Sequence, residues 1–286
     1  MTEAKEIVWE PAALTSAPPL IRAAGITHVG TVRKHNEDAW LIEPPVFVVA
    51  DGMGGHLGGD LASQIVIEKF ESLGGTPFVT VGDLERVIKA SDDAISSLGT
   101  NPETAPGSTV IAAGYLAEGA HGYWLIANVG DSRAYVLTPD SFEQVSKDHS
   151  VVQEMIDAGQ IDEDQARVHP ERHIITRALG AIDDVQPEFV LVPASAGTRI
   201  LLCSDGLTGE LTDAEIESIL RDGSAPHATV MRLVARAVEA GGHDNVTAVV
   251  IDVELASNPT ELDITLGHPV VEELEADTIP GRRFLT

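Results

Sequence analysis

Apolar residues follow two rhythms along this chain, one typical of buried strands and the other of amphipathic helices. Short runs rich in β-branched and aliphatic residues predict strands at 39–42, 46–50, 108–115, 123–129, 132–137, 189–192, 199–203 and 246–253. Residues recurring every three or four positions predict helices at 61–70, 84–98 and 228–240, and the capping box Thr212–Glu215 opens another. In the first of these helices, Asp60 is the expected N-cap, and the expected buried face carries Leu61, Ile65, Val66 and Phe70.

The predicted helices occur in pairs between blocks of strands, rather than singly after each strand. This order favours an α+β fold over a doubly wound parallel sheet: two stacked, mostly antiparallel β-sheets flanked by helix pairs, an αββα sandwich. We expect one domain over residues 25–254, a loosely packed extension at 1–24 and a flexible acidic tail at 255–286. Residues 148–180 are rich in charge and histidine, and we expect them to form a small helical subdomain on the surface, the flap.

Acidic residues outnumber basic residues, and the formal charge is 18 − 45 = −27. This excess excludes nucleic acid and disfavours anionic membranes as partners, because phosphate groups require Lys and Arg to neutralise them. Cys203 is the only cysteine, which rules out an intrachain disulfide and is typical of a reducing compartment. No apolar stretch approaches about twenty residues, and the N-terminus lacks the order of a secretory signal. We therefore expect a cytoplasmic protein.

Carboxylates lie at the ends of several predicted strands: Asp51, Asp131, Asp205 and Asp244, with Glu37 and Asp38 beside the strand at 39–42. An ionised carboxylate against an apolar layer is costly unless it is paired, and Arg33 and Arg133 are the main basic residues nearby. If the aspartates converge, cations or protons must neutralise them. A ligand set made only of oxygen selects a hard ion, Mg²⁺ or Mn²⁺.

Taken singly, each aspartate has a simpler interpretation as a turn or helix-cap residue, and Asp-Gly is a common turn pair. The repetition of the pattern favours a shared site. Arg133 is interpreted as a structural partner of a neighbouring carboxylate, and Cys203 as a core thiol in an apolar strand. The flap histidines are interpreted as polar surface residues, with substrate contact as a lesser alternative: His149, His169 and His173.

Eight short blocks together resemble the metal-dependent protein phosphatases (protein phosphatase 2C, PPM) in their bacterial form. The resemblance covers roughly residues 25–254, and its blocks follow in the order of that family. They are Gly30–Asp38, Val49–His56, Gly107–Thr109, Ala127–Arg133, Lys147–Ser150, Ile175–Gly180, Leu202–Thr208 and Gly242–Thr247.

The resemblance implies two bound Mn²⁺ or Mg²⁺ ions and a weaker third. Asp51 would bridge the two ions, and the carbonyl of Gly52 would bind one of them. Asp205 and Asp244 would hold the other ion, and Asp131 with Asp205 would form the weaker site.

The resemblance also implies the catalytic roles. Asp38 would act through bound water or as a direct ligand, with Glu37 nearby, and Arg33 would bind the substrate phosphate through its planar fork of donors. The implied activity is hydrolysis of phosphoserine and phosphothreonine in proteins by a metal-bridged hydroxide, with Arg33, Asp38 and Asp51 as the catalytic residues. The expected partners are Ser/Thr kinases and their substrates, and the expected state is a monomer.

One position departs from the pattern. Some members of the family carry a histidine directly after Asp-Gly as a proton donor, and Met53 stands there in this chain. His56 follows three residues later, and a water on the metal is the alternative donor. Three other functions stay open from the sequence: a non-catalytic binder of phosphoproteins, a hydrolase of small phosphoesters, and a structural Ca²⁺-binding protein.

Overall fold

The computed structural model describes residues 4–11, 19–54, 58–99, 105–118, 121–181, 185–255 and 282–284. The strands are β1 (Lys5–Trp9), β2 (Pro19–His28), β3 (Asp38–Glu43), β4 (Val46–Met53), β5 (Gly107–Ser108), β6 (Val110–Glu118), β7 (His121–Val129), β8 (Arg133–Leu137), β9 (Phe142–Gln144), β10 (Glu188–Pro193), β11 (Arg199–Cys203), β12 (Val246–Leu255) and β13 (Arg282–Phe284). The helices are α1 (Gly59–Glu71), α2 (Val81–Ser96), α3 (Val151–Asp157), α4 (Glu163–Arg167), α5 (Asp205–Thr208), α6 (Asp213–Leu220) and α7 (Pro226–Ala240).

Two β-sheets make up the centre of the protein. The first has the strand order β1-β2-β12-β11-β8-β9, and the second has the order β13-β10-β7-β6-β4-β3, with β5 joined to β4. Every described strand pair is antiparallel except β10–β13, which is parallel. The predicted α+β fold with stacked antiparallel sheets is therefore confirmed.

Three apolar layers hold the sandwich together. The layer between the sheets contains Phe47 and Trp124 from one sheet and Ile200 and Ile251 from the other, all fully buried. The outer layers pack α1 and α2 on the second sheet and α6 and α7 on the first: Val66, Phe70, Leu84 and Ile88 on one side, and Ile216, Leu233 and Val234 on the other. Both helix pairs fall where the hydrophobic pattern predicts them.

The N-terminal segment differs from the prediction. Residues 19–28 form β2, which pairs with β12 over its whole length, and β1 adds a further strand at the edge. Ile21 and Ala23 are fully buried between the sheets. The prediction of a loosely packed extension at 1–24 was wrong for the described part of this segment, because its small residues give little periodicity while their burial depends on distant strands.

The first helix also begins differently from the prediction. Its N-cap is Gly58, and Asp60 lies in the first turn, where its charge complements the helix dipole without capping it. Leu61 is 47% exposed, while Ala62 and Val66 are buried. The predicted cap and the predicted placement of Leu61 were therefore wrong.

The flap contains two short helices, α3 and α4, as predicted for residues 148–180. Most of the predicted tail at 255–286 lies outside the described residues, and only residues 282–284 are described as a strand beside β10. Among the described residues, no helix has the length and apolar character that crossing a membrane requires.

Candidate metal centre

Asp38 and Asp51 face each other across adjacent strands, because β3 pairs with β4 in the register Asp38↔Asp51. The Asp38 Oδ2 atom accepts hydrogen bonds from Ser204 Oγ at 2.8 Å and Thr247 Oγ1 at 2.6 Å, both on the opposite sheet. The Asp38 Oδ1 atom is buried and has no hydrogen-bond partner among the described residues. A buried carboxylate oxygen without a donor has a coordination position to offer, which fits a cation ligand.

The backbone of Asp51 is held on both sides by Thr109. The Asp51 N–H donates to Thr109 Oγ1 at 3.0 Å, and the Thr109 N–H donates to the Asp51 carbonyl at 2.8 Å. Thr109 is in turn bonded to Ser132 through the hydroxyl groups, at 2.8 Å. These bonds join the end of β4 to the turn that carries Asp131, so the positions of the two aspartates are coupled.

Asp205 and Asp244 come together where α5 meets the turn before β12. A Cβ atom at Gly206 would lie 1.9 Å from the carbonyl oxygen of Asn245 and 3.4 Å from Asp244 Cβ, so only glycine permits this approach. Asp205 is the first residue of α5, directly after the N-cap Ser204. The close contact brings the carboxylates of two distant chain segments to the same edge of the sandwich.

The pKa values show that the carboxylates converge. Burial, followed by the charge of Asp38, Asp205, Asp131 and Asp244, raises the pKa of Asp51 well above its usual range. Burial raises the pKa of Asp38 to about 7, with Asp205 and Asp244 adding to the rise and its two hydroxyl donors opposing it.

The remaining two carboxyl groups follow the same rule. Burial and the neighbouring Asp244 raise the pKa of Asp205, while a hydrogen bond with Asp51 and the positive His173 and Arg33 act in the opposite direction. Burial and the charge of Asp205 raise the pKa of Asp131 well above its usual range. The group is tolerable only when protons or cations offset its charge.

The carboxylates do not form a finished coordination shell. Within the described ranges, no three His, Cys, Asp or Glu side chains lie at metal-ligand geometry. The mutual electrostatic influence of the aspartates nevertheless requires that they be near neighbours, and we rely on it because like charges without a cation between them turn apart. Asp244 shows this directly, since its Oδ2 accepts from Arg33 Nη2 at 2.7 Å.

Gly52 lies in a tight cradle beside the carboxylates. Its N–H donates to the Glu37 carbonyl at 3.1 Å, and a Cβ atom there would lie 1.9 Å from the Gly59 carbonyl oxygen. The carboxyl carbon of Glu37 also approaches Gly59, at 2.9 Å from a Cβ built there. Met53 follows as the last residue of β4, and His56 lies outside the described residues.

Three predictions about neighbouring residues have definite outcomes. Arg133 is structural as predicted, because its guanidinium binds both carboxylate oxygens of Asp148 at 2.7–3.0 Å. Cys203 is a core thiol as predicted, and burial raises its pKa to about 12. His149 was wrongly interpreted as a surface residue of the flap, since it is only 4% exposed.

Sequence reasoning missed the hydroxyl and amide groups that support the carboxylates. Thr247 Oγ1 lies 2.7 Å from Thr27 Oγ1, and Ser204 Oγ accepts the Thr247 N–H at 3.0 Å. The Asn245 amide accepts from the Glu37 N–H and donates to the carbonyls of residues 29 and 35. Ser204, Asn245 and Thr247 stand inside the motif blocks and were detectable there, whereas Thr27 carries no signal in the sequence.

The fold and the acidic cluster define an αββα protein with a carboxylate-lined centre at one edge of the sandwich. The family model for protein phosphatase 2C matches residues 31–248, more than half of the chain. A serine/threonine phosphatase stp of Listeria innocua is 33% identical over 242 residues, which cover 80% of this chain and 94% of that protein. The chain belongs to the protein phosphatase 2C family.

Mycobacterial proteins give the same result. The serine/threonine protein phosphatase PstP of Mycobacterium tuberculosis is 36% identical over 82% of this chain, but only 45% of that longer protein is covered. Its crystal structure matches with a TM-score of 0.75 and 34% identity, covering 82% of this chain and 99% of the solved chain. A PstP catalytic domain solved in complex with 2 manganese ions matches with a TM-score of 0.72 and 33% identity, over 82% of this chain and 98% of that one.

The raised pKa values predict how the metal-free protein responds to pH. A carboxyl group whose pKa is raised on folding binds more protons in the folded state, so stability is greatest at low pH and is lost as the pH rises through the folded pKa. For Asp38 that value is about 7. With EDTA present, the unfolding temperature should therefore be higher at about pH 6 than at about pH 8.

Differential scanning calorimetry checks this expectation. Adding Mn²⁺ should flatten the dependence, and Asp38→Asn should flatten it without metal because it removes one titrating group. A metal-free protein that is equally stable at both pH values would contradict the raised pKa of the cluster.

Proposed function

We propose that this chain is a metal-dependent serine/threonine protein phosphatase that hydrolyses phosphoserine and phosphothreonine in other proteins. The observation that supports it best is the convergence of Asp38, Asp51, Asp205 and Asp244 at one edge of the sandwich, with an unpartnered buried oxygen on Asp38. Membership of the protein phosphatase 2C family gives that centre its reaction class.

The residues present fit two divalent cations. Every candidate ligand is an oxygen, which suits Mn²⁺ and Mg²⁺. Asp51 and the Gly52 carbonyl would hold one ion, with Asp51 shared between the two, and Asp205 and Asp244 would hold the other. Asp38 would support them through its free Oδ1 atom. When bound, such ions supply a nucleophile from water near neutral pH and offset negative charge on phosphoryl oxygens.

A weaker third ion fits between Asp131 and Asp205. Burial and the charge of Asp205 are the two largest causes of the raised pKa of Asp131, so a cation between them would relieve the repulsion. The presence of 2 manganese ions in the related PstP catalytic domain supports the choice of metal.

Arg33 would bind the substrate phosphate. Its side chain is 52% exposed and lies at the mouth of the cluster through its bond to Asp244. A planar guanidinium presents several parallel donors, which matches the oxygens of a phosphate group. The Arg33–Asp244 pair therefore places the phosphate-binding side chain next to the carboxylates.

The finer aspects of the proposal concern the cell. The substrates would be proteins phosphorylated by Ser/Thr kinases, which the enzyme would oppose in signalling. The protein would act in the cytoplasm as a monomer. The charge of −27 supports a protein substrate over a nucleic acid, because phosphate backbones would be repelled.

Hydrolysis of a phosphothreonine peptide in the presence of Mn²⁺ tests the proposal. Phosphate release should be followed alongside two comparison substrates, ATP and p-nitrophenyl phosphate. The proposal expects the peptide to have the highest kcat/KM. Turnover of ATP with no turnover of any phosphopeptide would instead identify a hydrolase of small phosphoesters.

Arg33→Ala should lower kcat/KM for the peptide by about 10- to 100-fold, the range expected for a lost charge-assisted hydrogen bond. Arg33→Lys should recover only part of that loss, because an ammonium group cannot bind two oxygens in one plane. Lys34→Ala, next along the exposed loop, is the matched control and should be near the parent. Full activity of Arg33→Ala would remove Arg33 from the phosphate site.

A further inference from the structure

His149 has both ring nitrogens engaged although it is buried at the base of the flap. Its Nδ1 atom accepts the N–H of Gly130 at 3.0 Å. A backbone N–H can only donate, so Nδ1 carries a lone pair and the ring proton lies on Nε2. Nε2 is 3.3 Å from Glu188 Oε1 and donates to it, and Arg177 donates to the same oxygen at 3.4 Å.

The Gly130 side of this contact leads directly to the carboxylate cluster. Gly130 precedes Asp131, and its peptide is held twice, since the His149 N–H also donates to the Gly130 carbonyl at 3.0 Å. Gly130 has φ 109°, and a Cβ atom there would lie 2.6 Å from Thr109, so the turn permits only glycine. A backbone fixed this tightly transmits the position of His149 to the direction of Asp131.

The other side of His149 leads into the flap. Its carbonyl accepts the N–H of Thr176 at 2.7 Å, and Ser150 forms a bridge with Ile175. The two chain ends of the flap therefore meet at His149. Movement of the flap base would move the same residue that holds the turn before Asp131.

We propose that His149 is a positioning residue that fixes the Gly130–Asp131 turn toward Asp205 and links that geometry to the seating of the flap. The inference rests on the proposed function in one respect, that Asp131 and Asp205 hold the weaker divalent ion. His149 itself touches neither substrate nor ion. Its two nitrogens divide the task, with Nδ1 serving the turn and Nε2 serving the flap.

Two substitutions separate these tasks. In His149→Asn the amide oxygen replaces the Nδ1 acceptor, so the bond from Gly130 is kept and the link to Glu188 is lost. In His149→Gln the amide nitrogen replaces the Nε2 donor, so the link to Glu188 is kept and the bond from Gly130 is lost. His121→Asn and His121→Gln are matched controls at an exposed histidine.

Mn²⁺ binding measured by isothermal titration calorimetry gives the first readout. His149→Gln should weaken the lowest-affinity step by about tenfold, the scale of one lost buried hydrogen bond. It should resemble Asp131→Asn in this respect, while His149→Asn should stay near the parent. Amide hydrogen exchange at residues 174–176 gives the second readout, and there His149→Asn should exchange faster than His149→Gln.

The pattern between the two variants decides the outcome. Equal effects of His149→Asn and His149→Gln on both readouts would overturn the proposal, since a general loss of stability affects both alike. Neither readout depends on turnover. A parent protein that binds Mn²⁺ with the expected variant pattern but releases no phosphate would refute the proposed function alone, and an active parent without the pattern would refute the positioning role alone.

Discussion

Asp205→Asn should lower kcat for a phosphothreonine peptide by about 10²–10³-fold, the loss typical of removing one preorganised electrostatic group. The substitution keeps the size of the side chain and removes one charge from a residue that would serve two cations. Asp205 stands at the start of α5, and its carboxyl group contacts Asp51. Steady-state kinetics across a range of Mn²⁺ concentrations measures the effect.

The same variant should remain folded, because the change relieves repulsion among buried carboxylates. Without metal its unfolding temperature should equal or exceed that of the parent, and Mn²⁺ should raise it less than in the parent. Asp140→Asn, at an exposed turn, serves as the control and should leave kinetics and metal response unchanged. Parent-level kcat in Asp205→Asn would remove Asp205 from the catalytic centre.

Removal of divalent cations should abolish activity altogether. Excess EDTA leaves the four buried aspartates without compensation for their charge, so neither a nucleophile nor a phosphate-binding centre forms. Phosphate release should fall to background and return on addition of Mn²⁺ or Mg²⁺. Activity that persists in EDTA would refute a metal-dependent mechanism.

Calcium gives the sharpest comparison in that experiment. Ca²⁺ takes more oxygen ligands at longer distances than Mg²⁺, so it should bind and stabilise the fold without restoring full hydrolysis. Tight Ca²⁺ binding with no hydrolysis under any metal would identify a structural calcium-binding protein instead.

Much of the site was predictable because its residues lie at the ends of apolar strands. The runs before Asp51 and Asp205 predict buried strands, and an aspartate directly after such a run needs a compensating charge. Arg33 was identified only through the motif around it. Its bond to Asp244, 211 residues away, has no signature in local spacing.

The supporting groups were harder to predict. The hydroxyl of Thr247 looks like an ordinary strand residue, yet it bonds Asp38 from the opposite sheet across 209 positions. His149 looked like part of a polar flap, and only folding buries it against Gly130. Polar residues of this kind are assigned by their partners, which composition and periodicity do not reveal.

The sequence by itself determined the αββα fold class, the helix pairs, the flap and the set of aspartates, because hydrophobic period, capping boxes and short motifs are local properties. Only the tertiary structure decided that residues 19–28 form a central strand, that Arg33 pairs with Asp244, and that His149 joins the flap to the Asp131 turn. These features depend on contacts between segments far apart in the chain. Their energies come from burial and from charges brought together, and both exist only once the two sheets have packed.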